Sequence, residues 1–385
     1  MRAWLLPEYI EDILPPRAAR IERLRREILD LFSVHGYELV MPPLLEYVDS
    51  LLTGTGHDLD LQTFKLVDQL SGRMLGLRAD IAPQVARIDA HLLNRSGVTR
   101  LCYAGSVLHT LPNGMNRTRE PLQIGAEIYG HAGIESDVEI QQLMMRALEA
   151  AGIEDVYLDI GHVGIFRSLV RRARLPSGTE SELFRAMQIK DVPAVRELSR
   201  KAPPAIRSAF AVLPTLYGGP EVLDAAARSL PAYPEMAQAL GDLKALSDRL
   251  QDVARIRCFD LAELRGYHYH SGVVFAAYVQ GQSSAIALGG RYDEVGKAFG
   301  RARPATGFSI DLREIAGLTT NVDARSCVLA PYAPNDPVLQ RRIAALRARG
   351  TAVIVELPGH ADTRGESGCD RRLVRREGKW LLEKL

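Results

Sequence analysis

Between residues 16 and 32 the apolar positions recur at three- and four-residue spacing among dense arginines and glutamates, which predicts an amphipathic helix lying on a core. It runs into His35-Gly36-Tyr37-Glu38-Leu39-Val40-Met41-Pro42-Pro43, a strand-like stretch halted by its prolines. Polar and apolar positions alternate at 73–77, 100–108, 122–129 and 156–160, which predicts short strands with helical stretches between them. From about 168 to 255 the pattern is helical throughout, broken at Pro203-Pro204 and Gly218-Gly219-Pro220. Strand character returns over 256–287, and Gly289-Gly290 reads as a turn before a helical stretch ending at Phe299. A new unit follows about Asn321: a strand at 326–330, a helix at 337–349 and a strand at 351–356, a β-α-β arrangement. Residues 359–370, rich in Gly, Asp and Ser, read as a mobile loop.

These periodicities predict an α+β chain built on an antiparallel sheet flanked by helices. Residues 1–167 and 256–320 form its core, 168–255 an all-helical insertion, and 321–385 a small C-terminal α/β domain. The length of 385 residues agrees with more than one core. With 48 basic and 47 acidic side chains the net charge is +1, so no excess positive potential marks a polyanion partner. Cys102, Cys258, Cys327 and Cys369 are widely spaced, with no C-x-x-C pair. That spacing predicts reduced thiols in a cytoplasmic protein rather than a disulfide frame or a zinc site. No run of about 18 apolar residues predicts a membrane span.

Several segments carry candidate chemistry. In Leu77-Arg78-Ala79-Asp80-Ile81-Ala82-Pro83 the Asp80 carboxylate suits a substrate ammonium, or else caps the helix beginning at Ile81. In Gln123-Ile124-Gly125-Ala126-Glu127 strand alternation points both polar side chains the same way, toward a ligand or toward solvent. Glu263-Leu264-Arg265-Gly266-Tyr267-His268-Tyr269-His270 alternates imidazole and phenol, but without a neighbouring carboxylate the pattern predicts no metal. In Gly289-Gly290-Arg291-Tyr292-Asp293 the paired glycines would let backbone approach a small ligand, with Tyr292 against its ring. Near the end of the core, Gly307-Phe308-Ser309-Ile310-Asp311-Leu312-Arg313-Glu314 brings two carboxylates close together in the chain.

In this order and spacing the segments resemble the histidyl-tRNA synthetase core, a class II aminoacyl-tRNA synthetase fold, over about residues 1–320. The resemblance implies that Asp80 holds the amino group of histidine and that Gln123 and Glu127 bond its ammonium or imidazole. It also implies that Arg265 stands at the family's catalytic arginine, Tyr269 at the first of its paired tyrosines, and Tyr292 beside the ring. Against this, the family arginine on the α-phosphate falls on His109, the second glycine of the last motif on Asp311, and its phosphate-binding arginine on Glu314. Losing one such donor to a transition-state charge typically costs about 3 kcal/mol, so the resemblance implies a pocket that keeps histidine but no longer forms the adenylate. The Leu-Arg-Ala-Asp-Ile segment, the altered last motif and the short C-terminal unit look most like the synthetase-like regulatory subunits of ATP phosphoribosyltransferase.

That likeness implies a non-catalytic chain with neither cofactor nor metal, binding L-histidine as effector for feedback inhibition. It further implies a homodimer within a hetero-oligomer containing the short-form catalytic subunit, with no membrane and no tRNA partner. A divergent histidyl-tRNA synthetase or other histidine ligase stays open, as does an assembly scaffold with an empty pocket, which Ala82, His268 and His270 would suit.

Overall fold

A computed structural model of the chain describes residues 4–53, 57–112, 117–176, 178–254, 256–319, 327–359 and 368–385. The first helix, α1 (Pro15–Val34), turns Ile21, Leu24, Ile28 and Phe32 into the core, as its spacing requires. Next come β1 (Glu38–Leu39), β2 (Leu45–Tyr47), α2 (Val48–Leu51), α3 (His57–Gln62), β3 (Phe64–Val67) and β4 (Met74–Leu77). They lead into α4 (Ala82–Arg87), β5 (Thr99–Ser106), β6 (Leu122–Tyr129), α5 (Ile134–Ala150), β7 (Tyr157–His162) and α6 (Val163–Ala173). The insertion carries α7 (Thr179–Gln188), α8 (Val192–Leu198), α9 (Pro204–Val212), β8 (Tyr217–Gly218), α10 (Glu221–Ser229) and α11 (Pro234–Arg249). The core resumes with β9 (Ile256–Asp260), β10 (Val273–Tyr278), β11 (Ala287–Arg291), β12 (Ala305–Asp311) and α12 (Leu312–Leu318).

One nine-stranded sheet organises this part, in the order β1-β5-β6-β12-β11-β10-β7-β9-β8. It is mixed rather than wholly antiparallel, because β1 runs parallel to β5 and β7 parallel to β9. A parallel pair needs a long crossover, and the entire helical insertion supplies the one between β7 and β9. The insertion itself is not purely helical, since the two residues of β8 extend the sheet beside β9. A separate three-stranded sheet has the order β2-β4-β3.

Strand alternation sorts the two faces of the large sheet. Ile124, Ala126 and Ile128 of β6 join the main core with residues of α1, α5 and α6. Gln123, Gly125, Glu127 and Tyr129 therefore share the opposite face. A smaller cluster covers part of that face, including Ile81, Val85, Tyr103, Tyr129 and Tyr292. Gly289 and Gly290 lie inside β11 rather than in a turn, opposite Phe308 and Gly307 of β12. A Cβ on Gly290 would reach 2.8 Å from the His270 ring, so the glycine makes room for protein atoms rather than for a ligand. No described helix is long and apolar enough to cross a membrane.

The chain divides into two compact units, Met1–Thr320 and Asn321–Leu385. The second contains β13 (Cys327–Ala330), α13 (Pro337–Ala348), β14 (Ala352–Val355), β15 (Arg371–Arg376) and β16 (Lys379–Lys384), with sheet order β14-β13-β15-β16. Val328, Leu339, Ile343, Leu346, Val353 and Leu373 form its core. The hairpin β15–β16 is an addition to the β-α-β pattern. Cys327 and Cys369 are joined in a disulfide with Cα atoms 4.3 Å apart, which corrects the expectation of four free thiols. The reason is topological: β13 and β15 are parallel neighbours, so residues 42 apart in sequence meet at one sheet end. Asp370 reinforces the junction by accepting the Cys327 N–H at 3.0 Å. Most of the 359–370 segment read as a loop, residues 360–367, lies outside the described residues.

Candidate functional site

The site grows from the segment after β4. Arg78 is buried, and its guanidinium donates to the carbonyls of Ser106 at 2.9 Å and Pro42 at 2.7 Å. It fills the space over Gly105, where a side chain would collide with it. A cation clamped between backbone carbonyls pins this segment against β5, which fixes where Asp80 emerges. Asp80 Oδ1 accepts from Gln123 Nε2 at 2.8 Å and from the Ala82 N–H at 3.3 Å. Gln123 Oε1 in turn accepts the Ile81 N–H at 3.0 Å. Asp80 thus bonds the N–H of Ala82, the first residue of α4, although Ile81 and not Asp80 is the N-cap of that helix, and it also faces Gln123.

Asp80 and Gln123 border a cleft of about 250 Å³ whose walls include His109, Arg117, Asp311 and Glu314. His109 places Nε2 2.9 Å from the Ala79 carbonyl, while its buried Nδ1 has no partner among the described residues. Asp311 faces the cleft but is held by backbone, accepting the N–H groups of Arg313 at 2.9 Å and Leu122 at 3.2 Å as the N-cap of α12. Glu314 pairs with Arg117 at 2.7 Å, and Arg117 also donates to the Ala285 carbonyl at 2.7 Å. Burial raises the affinity of both carboxyls for a proton. The reversed charge read at Glu314 is therefore offset locally by Arg117, a residue that the sequence motifs did not single out.

The same face of β6 presents Glu127, fully buried and not among the described residues that wall the cleft. It accepts hydrogen bonds from the hydroxyls of Tyr103, at 3.1 Å, and Tyr292. The Tyr129 and Tyr292 hydroxyls lie 3.1 Å apart, which extends the chain of phenols. The carboxylate rests on Gly307 of β12, where any Cβ would overlap it. Burial pushes the Glu127 carboxyl up from 4.5 to about 8, and the nearby Asp80 charge pushes in the same direction while the two tyrosine bonds oppose it. Tyr269 packs its ring 5.0 Å from that of Tyr292, and its buried hydroxyl has no partner among the described residues.

Arg265 is placed apart from this group. Its Nη2 contacts Glu263 at 3.1 Å and the Tyr278 hydroxyl at 2.8 Å, and it shares no hydrogen bond or ion pair with Asp80, Gln123 or Glu127. Sequence reasoning missed Tyr103 and Tyr129. Tyr129 sits two residues after Glu127, so alternation alone puts it on the same face. Arg291, between two residues of a quoted motif, also had an unforeseen role: it is buried against Asp137 at 2.6 Å and 3.0 Å and anchors β11 to α5. Among the described residues no cluster of His, Cys, Asp or Glu could hold a metal ion. The arrangement offers an anionic carboxylate, an amide, a buried carboxyl and phenol rings, groups suited to an ammonium and a polar ring rather than to a polyphosphate.

Residues 9–315 match the histidyl-tRNA synthetase family, and residues 325–383 match the C-terminal domain of the ATP phosphoribosyltransferase subunit HisZ. The chain is 60% identical over 381 residues to an ATP phosphoribosyltransferase regulatory subunit of Ralstonia pickettii, covering 99% of this chain and 97% of the relative. It is 56% identical over 386 residues to the protein of the same description from Nitrosospira multiformis, covering 99% and 98%. A solved ATP phosphoribosyltransferase regulatory subunit/histidyl-tRNA synthetase from Bacillus halodurans superposes with a TM-score of 0.83 at 27% identity, covering 95% of this chain and 96% of that one. Histidyl-tRNA synthetase from Nostoc sp. PCC 7120, at 17% identity and a TM-score of 0.79, shares the fold over 100% of this chain and 97% of its own.

Proposed function

The chain belongs to the family of ATP phosphoribosyltransferase regulatory subunits, built on a histidyl-tRNA synthetase fold, and from that premise we propose that it senses L-histidine without activating it. As a homodimer it would assemble with a separate catalytic subunit and relay feedback inhibition to it. The observation that carries this reading is the Asp80–Gln123 pair on the rim of a cleft of about 250 Å³, with buried Glu127 and its tyrosines on the same sheet face. A zwitterion's ammonium would meet Asp80 and its imidazole the carboxyl and phenols, and Arg265 would reach the ligand only by leaving Glu263. The cleft is no host for a triphosphate: the one guanidinium among its described walls, Arg117, is already committed to Glu314, and Asp311 adds negative charge. Adenylation is lost on this reading, and the chain is not itself an enzyme.

Relay requires histidine to bind the active and inactive assemblies unequally. Calorimetric titration of the full chain with L-histidine, alone and with the catalytic subunit and its substrates, tests this. Saturable binding without ATP, lost in Asp80→Asn and changed by the substrates, is expected. Failure to bind in both the free and assembled states would refute the sensor.

A further inference from the structure

We propose that the seam between the large sheet and the helical insertion forms a second ligand site, separate from the Asp80 cleft, that takes a small organic monocation. Leu158 and Ile160 of β7 are wholly buried in the main core, so alternation turns Tyr157 and Asp159 to the opposite face. There Asp159 stands beside Cys258 of β9 on one side and Ala276 of β10 on the other. A cavity of about 370 Å³ opens over these strands, walled by Tyr157, Tyr278 and, from the insertion, Tyr217 and Lys190.

Charge decides what the cavity can accept. Lys190 is paired with Asp260 at 2.8 Å and lies 4.0 Å from the centre of the Tyr217 ring. Arg265 is paired with Glu263 at 3.1 Å and bonds the Tyr278 hydroxyl at 2.8 Å. Asp159 is the third carboxylate of the group, and no hydrogen bond or ion pair reaches it from the described residues. Burial, with Asp260 and Glu263 nearby, pushes its carboxyl up to about 6, which leaves it ionised at neutral pH in a place that disfavours the charge. Three carboxylates against two cations leave room for one positive charge.

The chemistry of that charge follows from the walls. No group of three or more metal-ligating side chains is close enough to hold an ion among the described residues, which argues against a metal. Three phenol rings favour a cation with a flat or short apolar body, and Lys190 over Tyr217 already shows that contact made by a protein cation. An ammonium, amidinium or imidazolium would place its N–H donors on Asp159 and its body between Tyr157 and Tyr278. The arrangement accounts for Arg265, a residue the sequence marks for the other cleft and the fold delivers here.

Titration of the full chain with benzamidine and with benzamide, its neutral near-isostere, tests the site by calorimetry. Benzamidine should bind saturably and benzamide at least about tenfold more weakly, the difference one charge-assisted hydrogen bond supplies. Asp159→Asn should remove that preference, and Tyr217→Ala, at an exposed position, should weaken benzamidine a few-fold. Thermal midpoints of both variants would confirm that they fold. Equal binding of the two probes, no binding of either, or unchanged benzamidine affinity in Asp159→Asn would overturn the proposal. Loss of benzamidine in Asp80→Asn would place it in the other cleft and overturn it equally.

Discussion

Replacing Glu127 by Gln should abolish a distinct pH dependence of stability. The carboxyl is fully buried, with burial and the Asp80 charge lifting its pKa from 4.5 to about 8. A raised carboxyl pKa means the folded state binds the proton more tightly than the unfolded chain does. The stabilisation is then fully present below about 4.5 and is lost as pH rises through about 8. Between those values the slope is about 1.4 kcal/mol per pH unit, so moving from pH 5.5 to pH 7.5 should cost the wild type roughly 2–3 kcal/mol from this group. A glutamine side chain in its place would keep one acceptor oxygen for either the Tyr103 or the Tyr292 hydroxyl, turn an amide N–H to the other, and has no proton to lose. Urea unfolding at the two pH values therefore gives the test: the drop in stability should be about 2–3 kcal/mol smaller in the variant than in the wild type. Parallel pH profiles would refute the buried, proton-holding carboxyl. The same group bears on function, because a cationic ammonium or imidazolium bound above it would lower its pKa and release a proton, seen as a buffer-dependent heat of binding.

Three further outcomes follow from the packing. Asp137→Ala should destabilise by about 3–5 kcal/mol in thermal or urea unfolding, because it strands Arg291 as a buried charge while Asp293 supplies only a longer contact at 3.2 Å. Gly307→Ala should abolish the Tyr292–Glu127 contact and lower the melting temperature, since its Cβ would occupy the carboxylate's place and the strand backbone cannot yield; an unchanged midpoint would contradict the described register. Cys327→Ser should destabilise the C-terminal unit by about 2–4 kcal/mol under non-reducing conditions and by much less in dithiothreitol, measured by urea unfolding.

Much of the candidate site was legible because strand alternation is a local rule. The 122–129 pattern coincides with β6, and putting Ile124, Ala126 and Ile128 in the core obliges Gln123 and Glu127 to share the other face. What was not legible lies across long sequence separations. Arg117 meets Glu314 197 residues away, so the charge reversed at one position is offset by another that no local spacing connects to it. The hairpin β15–β16 was hidden for a different reason: Arg371, Arg372, Arg375 and Arg376 crowd a strand whose buried anchor is Leu373 alone, so the alternation is nearly all polar.

Residue order determined the succession of helices and strands, the face each strand turns inward, and the family to which the motifs belong, because periodicity and motif spacing are properties of neighbours along the chain. Tertiary structure decided which of those motifs meet. It gathered Asp80, Gln123 and Glu127 over one sheet face, sent Arg265 to Tyr278 and Glu263, moved the paired glycines from a turn into β11, and joined Cys327 to Cys369. Each of these depends on which strands lie side by side and in what direction, and strand pairing is set by the packing of the whole core rather than by any local pattern.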